Sequence, residues 1–413
     1  MALLGTADGS FVITAKRLPL NTFLPLVGNV KDYAWGQTAR PGRVPYIADL
    51  LGVHAQPDLP FAELWLGAHE TAPAIVTMAD GAHALDALAS QYPDEILGPG
   101  VSAAGFDGLP FLLKILACDR PLSIQAHPDK ALAARLHARN PQHYPDANHK
   151  PEIAIALTDF EAMCSFRHAR DIRADLARHG LLDSIFATLP EGDPWLKAAY
   201  TRLLTVEDAV VREAGQRLVE TVQTAPAPTV ADRCFLKLWG HYPGDRGTLS
   251  AYFLNHVSLR PGESIFLAAN EPHAYIEGVI VECMANSNNV VRAGCTPKPI
   301  DREVLLAMLA YREGPPATQA GHKIPGGRCY QPPVPEFAVD LLDLKAGESV
   351  ESASNGLVSI LLVLDGTFGL QEPNQSPRIA QRGSAWLWPA ALPSATFLCQ
   401  SETGQLVRAR PNF

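Results

Sequence analysis

Short apolar runs separated by proline, glycine and polar turns dominate the chain. "LPFLLKILA" (Leu109–Ala117) reads as a buried strand carrying one cation, Lys114, and "PLSIQAH" (Pro121–His127) as a second strand. "KPEIAIAL" (Lys150–Leu157) and "FEAMCSFR" (Phe160–Arg167) read as two more, joined at Thr158-Asp159 as a hairpin. "HALDALASQYPDEILG" (His83–Gly98) reads as a helix, because Leu85, Leu88 and Tyr92 fall three and four apart on one face. Another helix is expected after His127-Pro128-Asp129, since proline suits a first helical turn and Leu132 and Leu136 stack one turn apart.

At about residue 168 the apolar period becomes helical and stays so to about 222, and "TAPAPTV" (Thr224–Val230) reads as a linker. β character returns near Tyr252, and "DREVLLAMLAY" (Asp301–Tyr311) is an expected helix with Asp301 as its N-cap. Beyond a loop rich in proline and glycine, a second β block runs to the end. Its longest apolar run, Leu357–Leu364, reads as a buried strand, well short of the ~18 residues of a membrane span. "LRPGESIFLAA" (Leu259–Ala269) and "LKAGESVES" (Leu344–Ser352) share Leu-x-x-Gly-Glu-Ser, one in each block, a hint of a repeated unit. The pattern predicts a mainly β protein with an α insertion: two sandwich blocks, the first split by a helical segment.

The bulk figures narrow the function. With 413 residues, two or three domains are expected. A net charge of −9 and the lack of a long basic run argue against nucleic acid as a partner. Seven scattered cysteines, an odd number with no CxxC pair, fit a reducing compartment. Asp8 and Gly9 interrupt the apolar start, so no signal peptide is expected. A cytoplasmic protein with no membrane partner is the expectation.

Two stretches carry chemistry. Gln125 and His127 alternate on one strand, so both side chains share a face. Glu152 lies on the next strand, and His273 lies in "NEPHAY" at the end of another. Two imidazoles, a carboxylate and an amide oxygen suit Zn²⁺, and also Mn²⁺, Fe²⁺ or Co²⁺. A Gln-x-His pair alone is usually a hydrogen-bonded core or edge pair, and His83, His137, His143, His179 and His322 read as surface residues. The second stretch, "VECMANSNNVVRAGCTPK" (Val281–Lys298), has a polar turn and then Arg292 and Lys298 six residues apart. Those two cations can hold a phosphate or polarise a substrate oxygen, whereas the bland alternative is a solvated loop.

Taken together, "YAWG" (Tyr33–Gly36), "AELWLG" (Ala62–Gly67), "LPFLLKIL", "LSIQAHPDK" (Leu122–Lys130), "HKPE" (His149–Glu152), "EPHAY" (Glu271–Tyr275) and "VECMANSNNVVRAGCTPK" resemble the type I phosphomannose isomerases, in the family's order across residues 30 to 300. The C-terminal block fits more loosely. The resemblance implies two cupin-type jelly rolls plus an inserted helical domain. The catalytic cupin would take residues 1–167 and 246–312, the helical insertion 168–245 and the C-terminal jelly roll 313–413. It implies one Zn²⁺ per chain held by Gln125, His127, Glu152 and His273, and a sugar-phosphate substrate, mannose 6-phosphate, exchanged with fructose 6-phosphate through a cis-enediol. Arg292 becomes the active-site arginine, with Lys150, His149 and Glu282 as candidates for proton transfer. A lysine base there needs its pKa lowered by the metal or by Arg292. Ser123, Lys114 and Lys298 would hold the sugar phosphate, and Trp35, Glu63 and Tyr275 would form walls. Many family members have Ser-Asp-Asn where this chain has Ser287-Asn288-Asn289. An asparagine cannot serve as acid or base, so Asn288 is not counted as catalytic.

Two other classes compete. A metal-dependent oxygenase on the same fold would use more histidines, and Gln125 with its lysine-rich surroundings argues against it. A sugar-binding sandwich without catalysis explains two jelly rolls but not Lys114, Lys150, Arg292 and Lys298 around four metal-type ligands. The expected quaternary state is a monomer, with a dimer as the alternative.

Overall fold

Strands with apolar residues on both faces have to be covered on both, and two such strands form the centre of the molecule. Phe111–Cys118 is buried throughout. Phe111, Leu113, Ile115 and Ala117 enter one core, while Leu116 and Cys118 enter another, on the face that also carries Lys114. The long strand His273–Ala285 divides the same way: Val279, Val281 and Cys283 on one side, Tyr275 and Ile280 on the other. The two strands pair antiparallel with Glu282 opposite Lys114, so an acid and a base meet on the inner face.

In the computed structural model, which describes residues 2–5, 11–14, 20–189 and 195–413, these strands belong to an eleven-stranded sheet. Its main path runs through Thr318–Gln319, Ser264–Leu267, Glu152–Ala156, His273–Ala285, Phe111–Cys118, Glu63–Gly67 and Asn29–Lys31. Two further pairs branch from the first half of the long strand: Phe160–Phe166 with Leu254–Leu259, and Ile124–Ala126 with Val291–Gly294. One long strand thus serves both layers of a mainly antiparallel double layer, the cupin-type jelly roll.

The Thr158-Asp159 hairpin does not form. Glu152–Ala156 and Phe160–Phe166 instead lie end to end along the long strand, Ile153 opposite Cys283 and Met163 opposite Ala274. Residues 157–159 only step from one layer to the other, over Gly278. That glycine has φ +114°, and a Cβ there would come within 2.5 Å of the Asp159 carbonyl oxygen, so the crossing needs a residue without a side chain. The expected 83–98 helix is also broken. Gly81–Ala84 is a strand, and helices Leu85–Gln91 and Pro93–Ile96 follow, with Pro93 starting the second.

The C-terminal chain builds a nine-stranded sheet and a four-stranded sheet. Phe23, Leu361, Val363, Phe368 and Phe397 fill the space between them. Ile360, Leu362 and Leu364, from the opposite face of the same strand, pack on the eleven-stranded sheet. This two-sided burial is why Leu357–Leu364 is apolar but for Ser359, whose buried hydroxyl accepts from Arg408 Nε at 3.0 Å. Strands Leu24–Val27, Ile75–Met78 and Gly81–Ala84 complete the nine-stranded sheet, with Leu24–Val27 paired to Ala385–Trp388. The Leu-x-x-Gly-Glu-Ser repeat proves to be one turn used twice. The Arg260 N–H donates to Glu263 Oε2 at 2.8 Å, and the Lys345 N–H to Glu348 Oε2 at 2.9 Å. Both turns carry a glycine of positive φ, Gly262 at 84° and Gly347 at 78°.

Helices Ala169–Arg178, Trp195–Thr205, Asp208–Thr224 and Val230–His241 occupy the segment of helical period. The "TAPAPTV" linker is only a short link between two of them, ended by a capping box of Thr229 and Asp232. His179 is not a surface residue: its ring contacts Asp232 at 2.8 Å and its side chain is 5% exposed. The helical core, including Leu176, Tyr200, Leu203 and Phe235, docks on Ile124, Ala126, Val291 and Ala293. It covers the outer face of the two strands that carry Gln125 and Arg292.

Because Leu362 joins the two β blocks in one core, Leu362→Ala should destabilise the protein by about 2–5 kcal/mol. Urea unfolding checks this, and a loss under 1 kcal/mol would mean that the shared core contributes little.

Candidate metal centre and active-site cavity

Ile124 and Ala126 point into the helical core, so Gln125 between them points inward. It pairs with His273 on one side and Arg292 on the other, a row of three polar residues across neighbouring strands. His127 lies just past the strand and keeps the inward face. The chain then turns. Asp129, not Pro128, starts the helix Lys130–Arg139, its carboxylate accepting the Leu132 N–H at 2.8 Å. The Asn270 N–H donates to the His127 carbonyl at 2.8 Å and ties this turn to the His273 segment.

His127, Glu152 and His273 converge in the interior, their ligand-type atoms all within 4.8 Å of one another. Both Nε2 atoms stand 3.4 Å from Glu152 Oε2. The other nitrogen of each ring is held by backbone: His127 Nδ1 by the Asn289 carbonyl at 2.7 Å, His273 Nδ1 by the Glu271 carbonyl at 3.1 Å. Each Nδ1 therefore carries the proton and each Nε2 lone pair faces Glu152. His127 Nε2 and Glu152 Oε2 are buried without a hydrogen-bond partner. Buried polar atoms are rarely left so, and a divalent cation between them removes the anomaly. The Gln125 carboxamide lies beside them, 3.5 Å from His273 Nε2, and a half-turn exchanges its nitrogen for its oxygen. Two imidazoles, a carboxylate and an amide fit a borderline cation such as zinc.

The charges support the same arrangement. Burial disfavours the Glu152 carboxylate, but the Lys150 ammonium at 2.7 Å outweighs it and holds Glu152 well below the usual carboxylate range. Burial, followed by Lys150, lowers His127 to about 4. Burial also works against the Lys114 ammonium, yet Glu282 at 3.0 Å and Glu63 at 3.6 Å keep it protonated beyond its ordinary range. The surplus of carboxylates, with burial first, pushes Glu282 upward.

A cavity of about 550 Å³ opens onto this centre. Of the residues expected there, Gln125, Lys150, Arg292, Ser123, Lys114, Lys298, Trp35 and Glu63 line it. Arg292 makes no ion pair or side-chain hydrogen bond among the described residues, so its guanidinium is available to a ligand. Lys298 stands exposed at the rim over the Tyr33 ring, 5.9 Å from its centroid. Three expected residues lie elsewhere. His149 turns away to pair with Glu336. Glu282 sits beneath Lys114, and Tyr275 is no wall residue, its hydroxyl donating to Glu282 at 2.9 Å. The polar turn 286–289 is not a solvated loop: Ser287 and Asn289 are buried. Trp65, His69 and Arg120 also line the cavity, and the sequence reading passed over them. Trp65 pairs directly with Lys114 across the strands, a neighbour relation that strand register alone reveals.

A cupin-type barrel with an inward His, Glu, His set beneath a cation-rich cavity defines a metal-binding protein for a small anionic ligand. The comparisons are more specific. A profile of the phosphomannose isomerase type I catalytic domain matches residues 23–169. Mannose-6-phosphate isomerase 1 of Arabidopsis thaliana is 38% identical over 358 residues, 82% of this chain and 83% of its own. The Homo sapiens mannose-6-phosphate isomerase is 38% identical over 389 residues, 87% of this chain and 91% of its own. A solved zinc-bound mannose 6-phosphate isomerase superposes with a TM-score of 0.85 at 30% identity, covering 95% of this chain and 100% of that one. The chain belongs to the mannose-6-phosphate isomerase family and is an enzyme of that class.

His69 gives a pH prediction. Burial, then Lys114, lowers its imidazole to about 4, against ~6.5 in an unfolded chain. Between those values the unfolded chain binds a proton that the folded one refuses. The stability His69 contributes is full above about 6.5 and is lost as pH falls toward 4. The urea midpoint should fall between pH 7 and pH 5, and less so in His69→Phe. An equal fall in both proteins would remove His69 as a cause.

Proposed function

We propose that the chain interconverts D-mannose 6-phosphate and D-fructose 6-phosphate through a cis-enediol, with one Zn²⁺ held by Gln125, His127, Glu152 and His273. The observation that carries this is the convergence of unpartnered, buried His127 Nε2 and Glu152 Oε2 next to Gln125 and Lys150, which line a cavity that also presents Arg292. Family membership supplies the substrate class. Its finer points rest on the placement of side chains. The same reading divides the chain into a catalytic cupin (1–167 and 246–312), a helical insertion (168–245) and a C-terminal jelly roll (313–413), with strands 24–27, 75–78 and 81–84 lent to the sheet of the last.

The reaction opens the sugar ring and moves a proton between C1 and C2. When bound, the zinc supplies a Lewis acid for oxygen charge that develops as the carbon-bound proton leaves. Arg292, directly across from Gln125 and without an ion-pair or side-chain hydrogen-bond partner among the described residues, supplies a second fixed positive charge to the same oxygens. Lys150 is the titratable group that both lines the cavity and touches Glu152, and we assign it the proton transfer. Glu282 and Tyr275 serve by holding Lys114, which points its ammonium into the cavity beside Trp65. His149 has its ring committed to Glu336 and is set aside as a proton carrier. Lys298 and Ser123 line the cavity where the phosphate and hydroxyls of the substrate are to be held.

A coupled assay for fructose 6-phosphate formation tests the reading. Activity should vanish with EDTA and return with zinc. His273→Ala should lose zinc and about 100-fold or more in activity. Arg292→Ala should keep its zinc and lose about 10²–10³ in kcat. A folded, zinc-loaded protein with no turnover would sink the isomerase assignment and leave a sugar-binding module.

A further inference from the structure

The turn Asn286–Asn289 presents one backbone carbonyl, that of Asn289, to His127 Nδ1. Most of the bonds that hold residues 287–289 of the turn go to one residue from a different loop. Asp146 Oδ1 accepts from Ser287 Oγ at 2.8 Å and from Asn289 Nδ2 at 3.0 Å, and Asp146 Oδ2 accepts from the Asn288 N–H at 2.7 Å. The Asp146 carbonyl takes the same Asn289 amide at 2.7 Å. Asp146 also braces its own loop, accepting the Asn148 N–H at 3.0 Å, and the Asn148 carbonyl takes Asn289 Nδ2 at 2.9 Å. Asn289 is fully buried and Ser287 nearly so.

We propose that Asp146 is a positioning residue for the metal centre, a clamp that fixes the Asn289 carbonyl on His127 Nδ1 and so holds the His127 Nε2 lone pair toward Glu152. The inference rests on the zinc-site reading above. Four donors, two of them backbone N–H groups, converge on a single carboxylate, which charge-assisted hydrogen bonding makes stronger than neutral pairs. The start of the turn is also tied down, the Asn286 N–H donating to the Pro110 carbonyl at 3.1 Å, whereas residues 287–289, which lead up to the carbonyl on His127, are held mainly by Asp146 and Asn148. Asp146 also lies four residues before Lys150 and six before Glu152, so one short loop ties the first histidine ligand to the carboxylate ligand. His273 is independent of the clamp, because its Nδ1 is held by Glu271.

That independence makes the test internal. Two readouts would be taken on Asp146→Ala and Asp146→Asn, with folding checked by circular dichroism. They are zinc affinity, by competition with a chromogenic chelator, and the imidazole ¹⁵N spectrum of the metal-free protein. Loss of the clamp should weaken zinc binding by about 10–100-fold, the usual effect of removing a partner behind a metal ligand. It should turn His127 from a single Nδ1–H tautomer into a mixture while His273 stays unchanged. Asp146→Asn, which loses only the acceptor for the Asn288 N–H, should show the same changes at smaller size and decides the matter if Asp146→Ala does not fold. Unchanged zinc affinity in a folded variant would overturn the proposal, as would equal changes at both imidazoles. A wild-type protein that binds no zinc would defeat the metal reading itself, and the His127 tautomer would still decide the role of Asp146.

Discussion

Glu152 is a carboxylate with 1% of its surface exposed, set between two imidazoles and an ammonium. An isolated carboxylate in that position would cost several kcal/mol or simply protonate. Here it stays ionised because the Lys150 ammonium stands 2.7 Å from it, while the backbone carbonyls behind both rings turn two Nε2 lone pairs toward the place a cation would take beside it. Much of the barrel can be read as the means of keeping these groups in place. The long strand delivers His273 at one end and Glu282 toward the other. The Gln125 strand is pinned between His273 and Arg292, and the helical insertion seals its outer face.

The cations around the cavity fall into two kinds. Lys114 and Lys150 are neutralised from below by Glu282, Glu63 and Glu152. They shape the floor and shield the carboxylates from one another. Arg292 and Lys298 have no acidic partner among the described residues, so their charge is directed outward. A net-acidic protein thus keeps a locally positive entrance for an anionic substrate, and the local field, not the overall charge, governs what enters.

Much of this was legible in the residues and some was not. The strands of Leu109–Ala117 and Leu357–Leu364, the helical segment and the Asp301 cap follow from period and capping, which are local properties. That His127, Glu152 and His273 belong together follows from family motifs, with the strand alternation placing Gln125 on the face of His127. The 158–159 hairpin failed because turn chemistry is silent about partners: the two strands prefer the same long strand to each other. Tyr275 and His149 were misplaced for a related reason, since a polar side chain next to a motif can as well brace its neighbours as face the cavity. Asp146, in "HYPDANHK", carries no motif of its own, and its importance exists only through contacts 141 to 143 residues away in sequence.

The strand Leu24–Val27 lies between Ile75–Met78 and Ala385–Trp388. During synthesis the ribosome releases the first of these almost a whole chain length before the last. The early strand must therefore wait with one edge open, next to a barrel whose outer apolar face also lacks its cover, until the final jelly roll emerges. Exposed edges and apolar faces of this sort are what chaperones engage. The pairing of the two ends makes completion of the last strands a checkpoint. A chain cut short before Trp388 leaves the nine-stranded sheet, and with it the support behind the catalytic barrel, unfinished.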